Sequence, residues 1–276
     1  MNATDVDLTR FRLTAIPAFL TKLDQLQSLC LRWNLLSAID TRALELTANL
    51  THLDLYDNQI TKIEHLENLP ELEHLDMSFN RLTAISGLEQ LRRLKRLYLV
   101  HNKIRRIEAL EQNIELELLE LGANRIRTVE NIGHLVELKK LYLGANRIRQ
   151  VGDSLRTLTK LHTLSLPANR ISQLGDSLQC LCELKELYLA QNGLQHVPDL
   201  TGNERLEVLD LCDNRLLDIS GVEGLPLTDI WLRKNELSDL EAALRPLRAV
   251  QTLRTLYLEA NPCAGDNEHE YRRRVQ

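Results

Sequence analysis

The sequence from Asn49 to Ile148 repeats one pattern five times, as NLTHLDLYDNQI (49–60), PELEHLDMSFNRL (70–82), RRLKRLYLVHNKI (92–104), IELELLELGANRI (114–126) and VELKKLYLGANRI (136–148). Each line fits LxxLxLxxNxL, and its asparagines lie 22 residues apart, at Asn58, Asn80, Asn102, Asn124 and Asn146. A fixed period of this length over five consecutive matches indicates a repeat architecture and not a chance run of leucines.

The spacing within the pattern predicts the conformation of each line. In the central LxL, Leu53 and Leu55 point to one side of a strand and Asp54 points to the other. We expect the inward leucines to stack on those of the next repeat in one continuous core. Because the chain turns sharply after each strand, the motif asparagine is expected to bond the main-chain groups that the turn leaves free. The asparagines are therefore interpreted as structural residues.

The pattern extends over nearly the whole chain. One repeat precedes the quoted stretch, with its asparagine at Asn34, and five more motif asparagines follow it, at Asn169, Asn192, Asn214, Asn235 and Asn261. We predict an α/β fold, a leucine-rich repeat solenoid that forms a curved right-handed superhelix with one parallel concave sheet of about eleven strands. The predicted organisation is an N-terminal capping repeat over residues 1–25, leucine-rich repeats over 26–261, and a partial C-terminal cap over 262–276.

The segments between strands are too short for long helices, so they are expected to form short helical turns or extended chain. Two of them, GDSLRTL (152–158) and GDSLQCL (175–181), begin with Gly and an Asp-Ser capping signal, which predicts a better-formed helical turn in each. The clearest helix is predicted within LSDLEAALRPLRAVQTL (237–253), with Ser238 or Asp239 as its N-cap and a disturbance at Pro246.

Charge and cysteine content exclude several classes of function. A net charge of −5 and a pI of about 5.9 disfavour broad attraction to nucleic acid or to an anionic membrane. No apolar run approaches the length of a membrane span, and the segment Met1–Arg10 lacks the character of a signal peptide. The five cysteines are odd in number, and Cys180-x-Cys182 is not a zinc or redox spacing. Reduced thiols in a cytosolic or nuclear protein are the better interpretation.

The outward positions of the pattern form columns across the sheet. The fifth-position column contains five of the eleven aromatic residues and four acids. In chain order it consists of Cys30, Asp54, Asp76, Tyr98, Glu120, Tyr142, Ser165, Tyr188, Asp210, Trp231 and Tyr257. The leucines already supply the core, so structure does not require these side chains, and exposed Tyr and Trp are typical anchors of protein-binding surfaces. Small residues in the middle of the seventh-position column, such as Gly122 and Gly144, leave room for a partner to approach.

An enzymatic or metal site has weaker support. His52 and His74 lie on adjacent predicted strands beside Asp54 and Asp76, which resembles a metal or acid–base cluster. However, the acids belong to a different column, and no nucleophile or phosphate-binding loop occurs nearby. We therefore predict no enzyme activity, no cofactor and no metal. The basic residues near Lys103, such as Arg105 and Arg106, are expected to be interrupted by acids and not to form a nucleic-acid patch.

The strand contents resemble a particular family. The segments NLTHLDLYDNQITKIEHLENLPELEHLDMSFNRL (49–82), LYLVHNKI (97–104), ELGANRI (120–126) and the ending LYLEANP…EYRRRV resemble the regulatory subunit 7 family of protein phosphatase 1, leucine-rich mitotic regulators. The resemblance covers essentially the whole chain. It implies a non-enzymatic subunit that binds the phosphatase catalytic subunit along the concave face and restrains or directs its activity in nucleus and cytoplasm. The family's contact positions fall here on Asp76, Tyr98, Glu120, Tyr142, Asp210, Asp229, Trp231 and Tyr257.

The resemblance leaves two further possibilities open. A third regulatory subunit could join such a complex. The alternative function is a leucine-rich repeat adaptor for another intracellular protein, of the splicing or ciliary type, because the same repeat fold supports many partners.

Overall fold

Each repeat forms a three-residue strand that ends at the central residue of its LxL motif in the computed structural model of the chain, which describes residues 3–40 and 47–265. Twelve strands of these residues pair in one sheet, all parallel and in chain order. They are β1 (Asp5–Asp7), β2 (Ser28–Cys30), β3 (His52–Asp54), β4 (His74–Asp76), β5 (Arg96–Tyr98), β6 (Leu118–Glu120), β8 (Lys140–Tyr142), β10 (Thr163–Ser165), β11 (Glu186–Tyr188), β12 (Val208–Asp210), β13 (Asp229–Trp231) and β14 (Thr255–Tyr257). The leucine-rich repeat solenoid is confirmed.

The core is one continuous stack of inward leucines. Leu53 and Leu55 are fully buried, as are their counterparts Leu97 and Leu99, and a single apolar cluster runs from Ile16 to Leu258. Full burial of one leucine side chain contributes about 1.5–3 kcal/mol. Most of this burial is against neighbouring repeats, so stability depends on stacking and not on any repeat alone.

The motif asparagines form the predicted structural ladder. Asn80 Nδ2 donates to the carbonyl of Leu55 at 3.0 Å and to that of Met77 at 3.1 Å, while its Oδ1 accepts the backbone N–H of Ile60 at 2.9 Å. The residue before each of the eleven motif asparagines has a positive φ, as at Phe79 with φ 55°. That left-handed residue makes the sharp turn, and the asparagine amide satisfies the buried main-chain groups around it.

The segments opposite the sheet are short, as predicted. The α-helix Leu240–Leu247 begins after Asp239, whose Oδ1 accepts from the backbone N–H groups of Glu241 and Ala242, so Asp239 and not Ser238 is the N-cap. Pro246 lies inside the helix, which ends one residue later. The 3-10 helices of the described residues are Ala18–Lys22, Asp153–Leu155 and Pro262–Ala264.

The helical turn predicted for residues 152–158 forms at Asp153–Leu155, but its N-cap is Gly152 and no side chain caps it, so the capping role of the Asp-Ser pair is wrong there. The equivalent segment at 175–180 forms turns.

A second, two-stranded sheet was not expected from the sequence. It pairs β7 (Thr128–Val129) with β9 (Gln150–Val151) in parallel and joins the loops of two adjacent repeats. Of the predicted caps, β1 lies within residues 1–25 and pairs with β2, whereas residues 266–276 of the C-terminal segment lie outside the described residues. The boundaries of both caps stay predictions.

Candidate protein-binding face

The register of the sheet assembles the fifth-position column without interruption. Backbone pairing places Asp76 beside Tyr98, Tyr98 beside Glu120, and Glu120 beside Tyr142. Ser165 and Tyr188 continue the column to Asp210, Trp231 and Tyr257, through the same in-register parallel pairing. We call the outward surface formed by the third, fifth and seventh positions of the repeats the concave face.

The eight predicted site residues fall into two groups on this face. Four adjacent strands carry the first group, and their residues are consecutive in the column: Asp76, Tyr98, Glu120 and Tyr142. The second group occupies the last three strands: Asp210, Asp229, Trp231 and Tyr257, with Asp229 one column away and paired with Thr255. Ser165 and Tyr188 separate the two groups.

Two of the acids are held where their charge is unfavourable. Burial raises the pKa of Glu120, and the negative charge of Asp76 raises it further. Glu120 has no side-chain hydrogen bond or ion pair with any described residue. Burial also raises the pKa of Asp54, but this carboxylate is paired with Arg32 at 3.1 Å. An approaching cation would therefore gain more at Glu120 than at Asp54, since a carboxylate with a cationic partner is already stabilised.

The other acids keep local hydrogen bonds. Asp76 Oδ1 accepts the backbone N–H of Ser78 at 2.8 Å, and Asp210 Oδ1 accepts that of Cys212 at 3.0 Å. Hydrogen bonds from Thr255 and Thr228 lower the pKa of Asp229. Each of these bonds uses only part of a carboxylate's acceptor capacity, so the remaining oxygen lone pairs face outward for a partner.

An aromatic cluster surrounds Asp210 in the second group. The ring of Trp231 lies 6.3 Å from that of Tyr188 and 6.3 Å from that of Tyr257, and the last ring is 47% exposed. The indole N–H of Trp231 is buried and has no acceptor among the described residues. Tyr188, which the resemblance did not include, thus belongs to this cluster; its place in the fifth-position column was the available signal.

A trough of about 420 Å³ lies beside the first group. Its lining includes Glu120, Tyr142, Gly122, Ala145 and Pro167. A Cβ added at Gly122 would meet its nearest atom at 3.6 Å, whereas one added at Gly144 would lie 3.0 Å from Pro167 Cγ. The seventh-position glycines therefore leave the predicted room, and Gly144 also accommodates the close side chain of Pro167 in the next repeat.

A second aromatic surface lies at the N-terminal end of the concave face. The rings of Trp33, Tyr56, Phe79 and His101 contact one another in sequence, with centroid separations of 6.0, 4.9 and 4.6 Å. The Arg32 guanidinium lies 4.2 Å from the Tyr56 ring centroid. The stack was not expected from the sequence, because three of its members occupy the position before the motif asparagine, where only a turn is predicted.

The histidine pair also comes together. The rings of His52 and His74 stack at 5.5 Å, and burial together with the neighbouring His52 lowers the pKa of His74. Among residues 3–40 and 47–265, no group of three or more His, Cys, Asp or Glu side chains could hold a metal ion. On the same face, burial raises the pKa of the Cys212 thiol to about 12, so this sulfur is protonated at neutral pH and is a poor nucleophile.

Comparison with known proteins agrees with this architecture. A family model described as two copies of leucine-rich repeats matches residues 48–90, and a second leucine-rich repeat model matches residues 136–194. An internalin of Listeria monocytogenes is similar with a TM-score of 0.74 and 24% identity, over 94% of this chain and 81% of the internalin chain.

Two other solved structures give the same result. A leucine-rich repeat protein of Leptospira interrogans has a TM-score of 0.73 and 24% identity, over 95% of this chain and 74% of that one. FLRT2, in an octameric complex with latrophilin 3 and Unc5D, has a TM-score of 0.75 and 24% identity, over 94% of this chain and 82% of that one. The chain therefore has the leucine-rich repeat fold.

One curated relative has a higher sequence identity, but its name states no function. An uncharacterised protein of Caenorhabditis elegans is 39% identical over 71 residues, which cover 25% of this chain and 15% of the relative's length. Among the described residues, no helix has the length and apolar character needed to cross a membrane.

Proposed function

We propose that the concave face binds the catalytic subunit of protein phosphatase 1, and that this binding restrains or directs the activity of the phosphatase. The broader part of this proposal is that the concave face binds a protein. The finer part is that this protein is the phosphatase catalytic subunit. The chain itself acts as a non-enzymatic regulatory subunit.

The observation that carries the broader part is the concentration of acids and aromatics in one column of the concave face. Trp231 lies next to Asp210 and Tyr257 lies next to Trp231, while Tyr98 and Tyr142 flank the unpaired carboxylate of Glu120. Aromatic side chains of this kind provide most of the binding energy at protein interfaces, because burial of their large rings excludes much water at little entropic cost. Leucine-rich repeat structures similar to this chain include one solved in an octameric complex with latrophilin 3 and Unc5D.

The charges on the face define the partner's surface. Glu120 and Asp76 repel each other, and Glu120 has no cation to offset the loss of hydration. A partner that places a Lys or Arg between these carboxylates would relieve this repulsion, so we expect a basic patch on the partner opposite the first group. Small residues along the trough would let that patch approach the strands closely.

The finer part is supported by the resemblance of the strand contents to the phosphatase regulatory subunits. The eight positions that the resemblance implies occupy two compact groups on one face, which is compatible with one extended interface. We also propose, on the same basis, that the complex acts in the nucleus and cytoplasm, and that a third regulatory subunit can join it.

Calorimetry with purified catalytic subunit of protein phosphatase 1 tests the finer part directly. We expect saturable binding, and inhibition or redirection of phosphatase activity at matching concentrations. Binding should be weakened by charge reversal at Asp76 or Glu120 and should be unchanged by Glu67→Ala, which alters an exposed residue outside the face. Absence of binding would reject this partner.

A pull-down from cell lysate separates the two parts of the proposal. If the phosphatase is absent and a different protein is captured by the parent chain but not by the Trp231→Ala variant, the concave face is still a protein-binding site. The alternative of an adaptor for a splicing or ciliary protein would then replace the phosphatase assignment.

A further inference from the structure

Four arginines that are separate in the sequence converge on one cleft where the chain leaves the sheet. Arg125 and Arg147 directly follow the motif asparagines of their repeats, whereas Arg105 and Arg127 come three residues after theirs. These four side chains line a cleft of about 290 Å³. We call it the arginine cleft; it shares no lining residue with the trough of the concave face.

The cleft modifies one expectation from the sequence. Acids were expected to interrupt the basic residues of this region. This holds at Arg106, whose Nε lies 3.1 Å from Glu130 Oε1. It is wrong at Arg105, which faces Arg125, Arg127 and Arg147. None of the four cleft arginines forms an ion pair with a described residue, although many other basic side chains do, such as Lys95 with Glu73 at 2.9 Å.

The unpaired charges make the cleft a site for an anion. An arginine side chain stays protonated at any physiological pH, so the four positive charges persist together. Their mutual repulsion is unfavourable in the free protein, and an anion between them would remove it. Because a guanidinium donates two parallel hydrogen bonds to an oxyanion, arginine is better suited to this role than lysine.

Backbone hydrogen bonds between adjacent repeats fix the main chain that carries these arginines. The N–H of Arg125 donates to the carbonyl of Ile104 at 2.8 Å, and that of Arg147 donates to Ile126 at 2.9 Å. The N–H of Arg149 donates to the carbonyl of Arg127 at 3.2 Å, immediately before the two-stranded sheet of β7 and β9. A site held in this way loses less conformational entropy on binding than one built on free loops.

The size and lining of the cleft select a compact anion. The third position after the motif asparagine is Thr83 in the repeat before Arg105 and Ser172 in the repeat after Arg149. The row of arginines at this position is therefore confined to three repeats. No aromatic side chain lines the cleft, whereas sites for single-stranded nucleic acid combine a basic groove with stacking aromatics. Four arginines around one point match a dianion with several oxygens better than the single charge of a carboxylate.

We infer that the arginine cleft binds a phosphate monoester dianion carried on a phosphorylated segment of a partner protein. The net charge of −5 gives no long-range attraction to a polyanion or an anionic membrane, so recognition must be local. This inference does not rest on the proposed function of the concave face, because the two surfaces use different residues.

Fluorescence polarisation with the full chain and a short labelled peptide containing one phosphoserine tests the inference. Arg127→Gln and Arg147→Gln should each weaken binding at least about tenfold, since each removes a charge-assisted bidentate contact. The matched control is Arg170→Gln, which alters a basic residue equivalent to Arg147 one repeat further on but outside the cleft lining. Arg127→Lys should retain only part of the affinity, because lysine keeps the charge and loses the planar fork.

Thermal unfolding provides a second measurement that does not depend on the peptide. Arg127→Gln should leave the free protein folded with an equal or higher Tm, since it removes a like-charge repulsion at an exposed side chain. The same variant should abolish any rise in Tm caused by inorganic phosphate.

If inorganic phosphate competes as strongly as the phosphopeptide, the cleft is a free-anion site and the peptide assignment is wrong. Tighter, arginine-dependent binding of a single-stranded oligonucleotide would also overturn it, as would equal binding of the unphosphorylated peptide or no binding of any of these anions.

Discussion

The concave face and the arginine cleft are built on the same repeats but carry opposite charges. Asp76, Glu120 and Asp210 give the concave column its negative character, whereas the cleft, a few residues further along each repeat, has four unpaired arginines. The two surfaces share the same leucines and asparagines. Their difference shows that the constant positions of the repeat decide the fold and that the variable positions decide which ligands it binds. The net charge of the chain does not show this division, because the negative charges of the concave face and the positive charges of the cleft partly cancel in the sum.

The largest effect is expected where both surfaces depend on one residue. Asn124 lies between Gly122 of the trough and Arg125 of the cleft, and it donates to the carbonyls of Leu99 and Leu121 while accepting from the N–H of Ile104. Asn124→Ala should lower the free energy of unfolding by about 3 kcal/mol, because it leaves buried main-chain groups without partners.

Denaturant unfolding measures the loss at Asn124, with Glu67→Ala as an unaffected control. Binding at the concave face and at the cleft should weaken together in this variant. Weaker binding at only one of the two surfaces would show that Asn124 does not support both.

The next largest effect separates the surfaces. Trp231→Ala should weaken binding of the phosphatase catalytic subunit by about 2 kcal/mol, as expected for a central aromatic anchor. The same change should leave phosphopeptide binding at the arginine cleft unaltered, and calorimetry measures both.

Trp231→Phe tests how the free protein tolerates this residue. Since the indole N–H is buried without an acceptor among the described residues, its removal should not reduce the free energy of unfolding. A clear loss of stability would contradict this expectation, and the Trp231→Ala result would then need a structural explanation.

A smaller effect is expected from filling the trough. Gly122→Leu should reduce phosphatase binding by about tenfold, or 1.4 kcal/mol, by occupying space that the partner needs. Its Cβ meets no atom closer than 3.6 Å, so the free protein should unfold as the parent does. Gly144→Ala is the matched comparison: its Cβ would lie 3.0 Å from Pro167 Cγ, so it should reduce stability. Equal stability of these two variants would contradict the described packing.

The smallest effect concerns the balance between binding and stability at Glu120. Its pKa is raised in the folded state by burial and by Asp76, so folding favours the protonated acid. The resulting contribution to stability is present below the ordinary pKa of 4.5 and is lost as the pH rises through the raised value.

Glu120→Gln should therefore increase the free energy of unfolding by about 0.5 kcal/mol near neutral pH, a small value because the half-buried carboxylate stays partly solvated. At about pH 3, where the carboxyl is protonated in both states, parent and variant should be equally stable. Phosphatase binding should weaken in the variant at neutral pH. Unfolding curves at the two pH values give the measurement, and a variant less stable than the parent at neutral pH would contradict the assignment.

Most of the fold, and the membership of the concave column, could be predicted from the sequence. The 22-residue spacing placed Leu53 and its counterparts inside and Asp54 and its counterparts outside, and the observed register agrees at each paired strand. Period-two alternation and hydrophobic burial are local properties that a single repeat already expresses. The partner of the face stays a proposal, since side chains that face solvent are not constrained by the core.

What the sequence determined by itself is therefore the repeated frame: inward leucines, turn-forming asparagines and the order of the outward column. Only the tertiary structure decided which side chains from different repeats meet. It placed Tyr188 beside Trp231, stacked Trp33, Tyr56 and Phe79, and closed four arginines around one cleft. The physical reason is that these contacts join residues about 22 positions apart. They depend on side-chain rotamers, on loop conformation and on the pairing of β7 with β9, none of which is encoded within a single repeat.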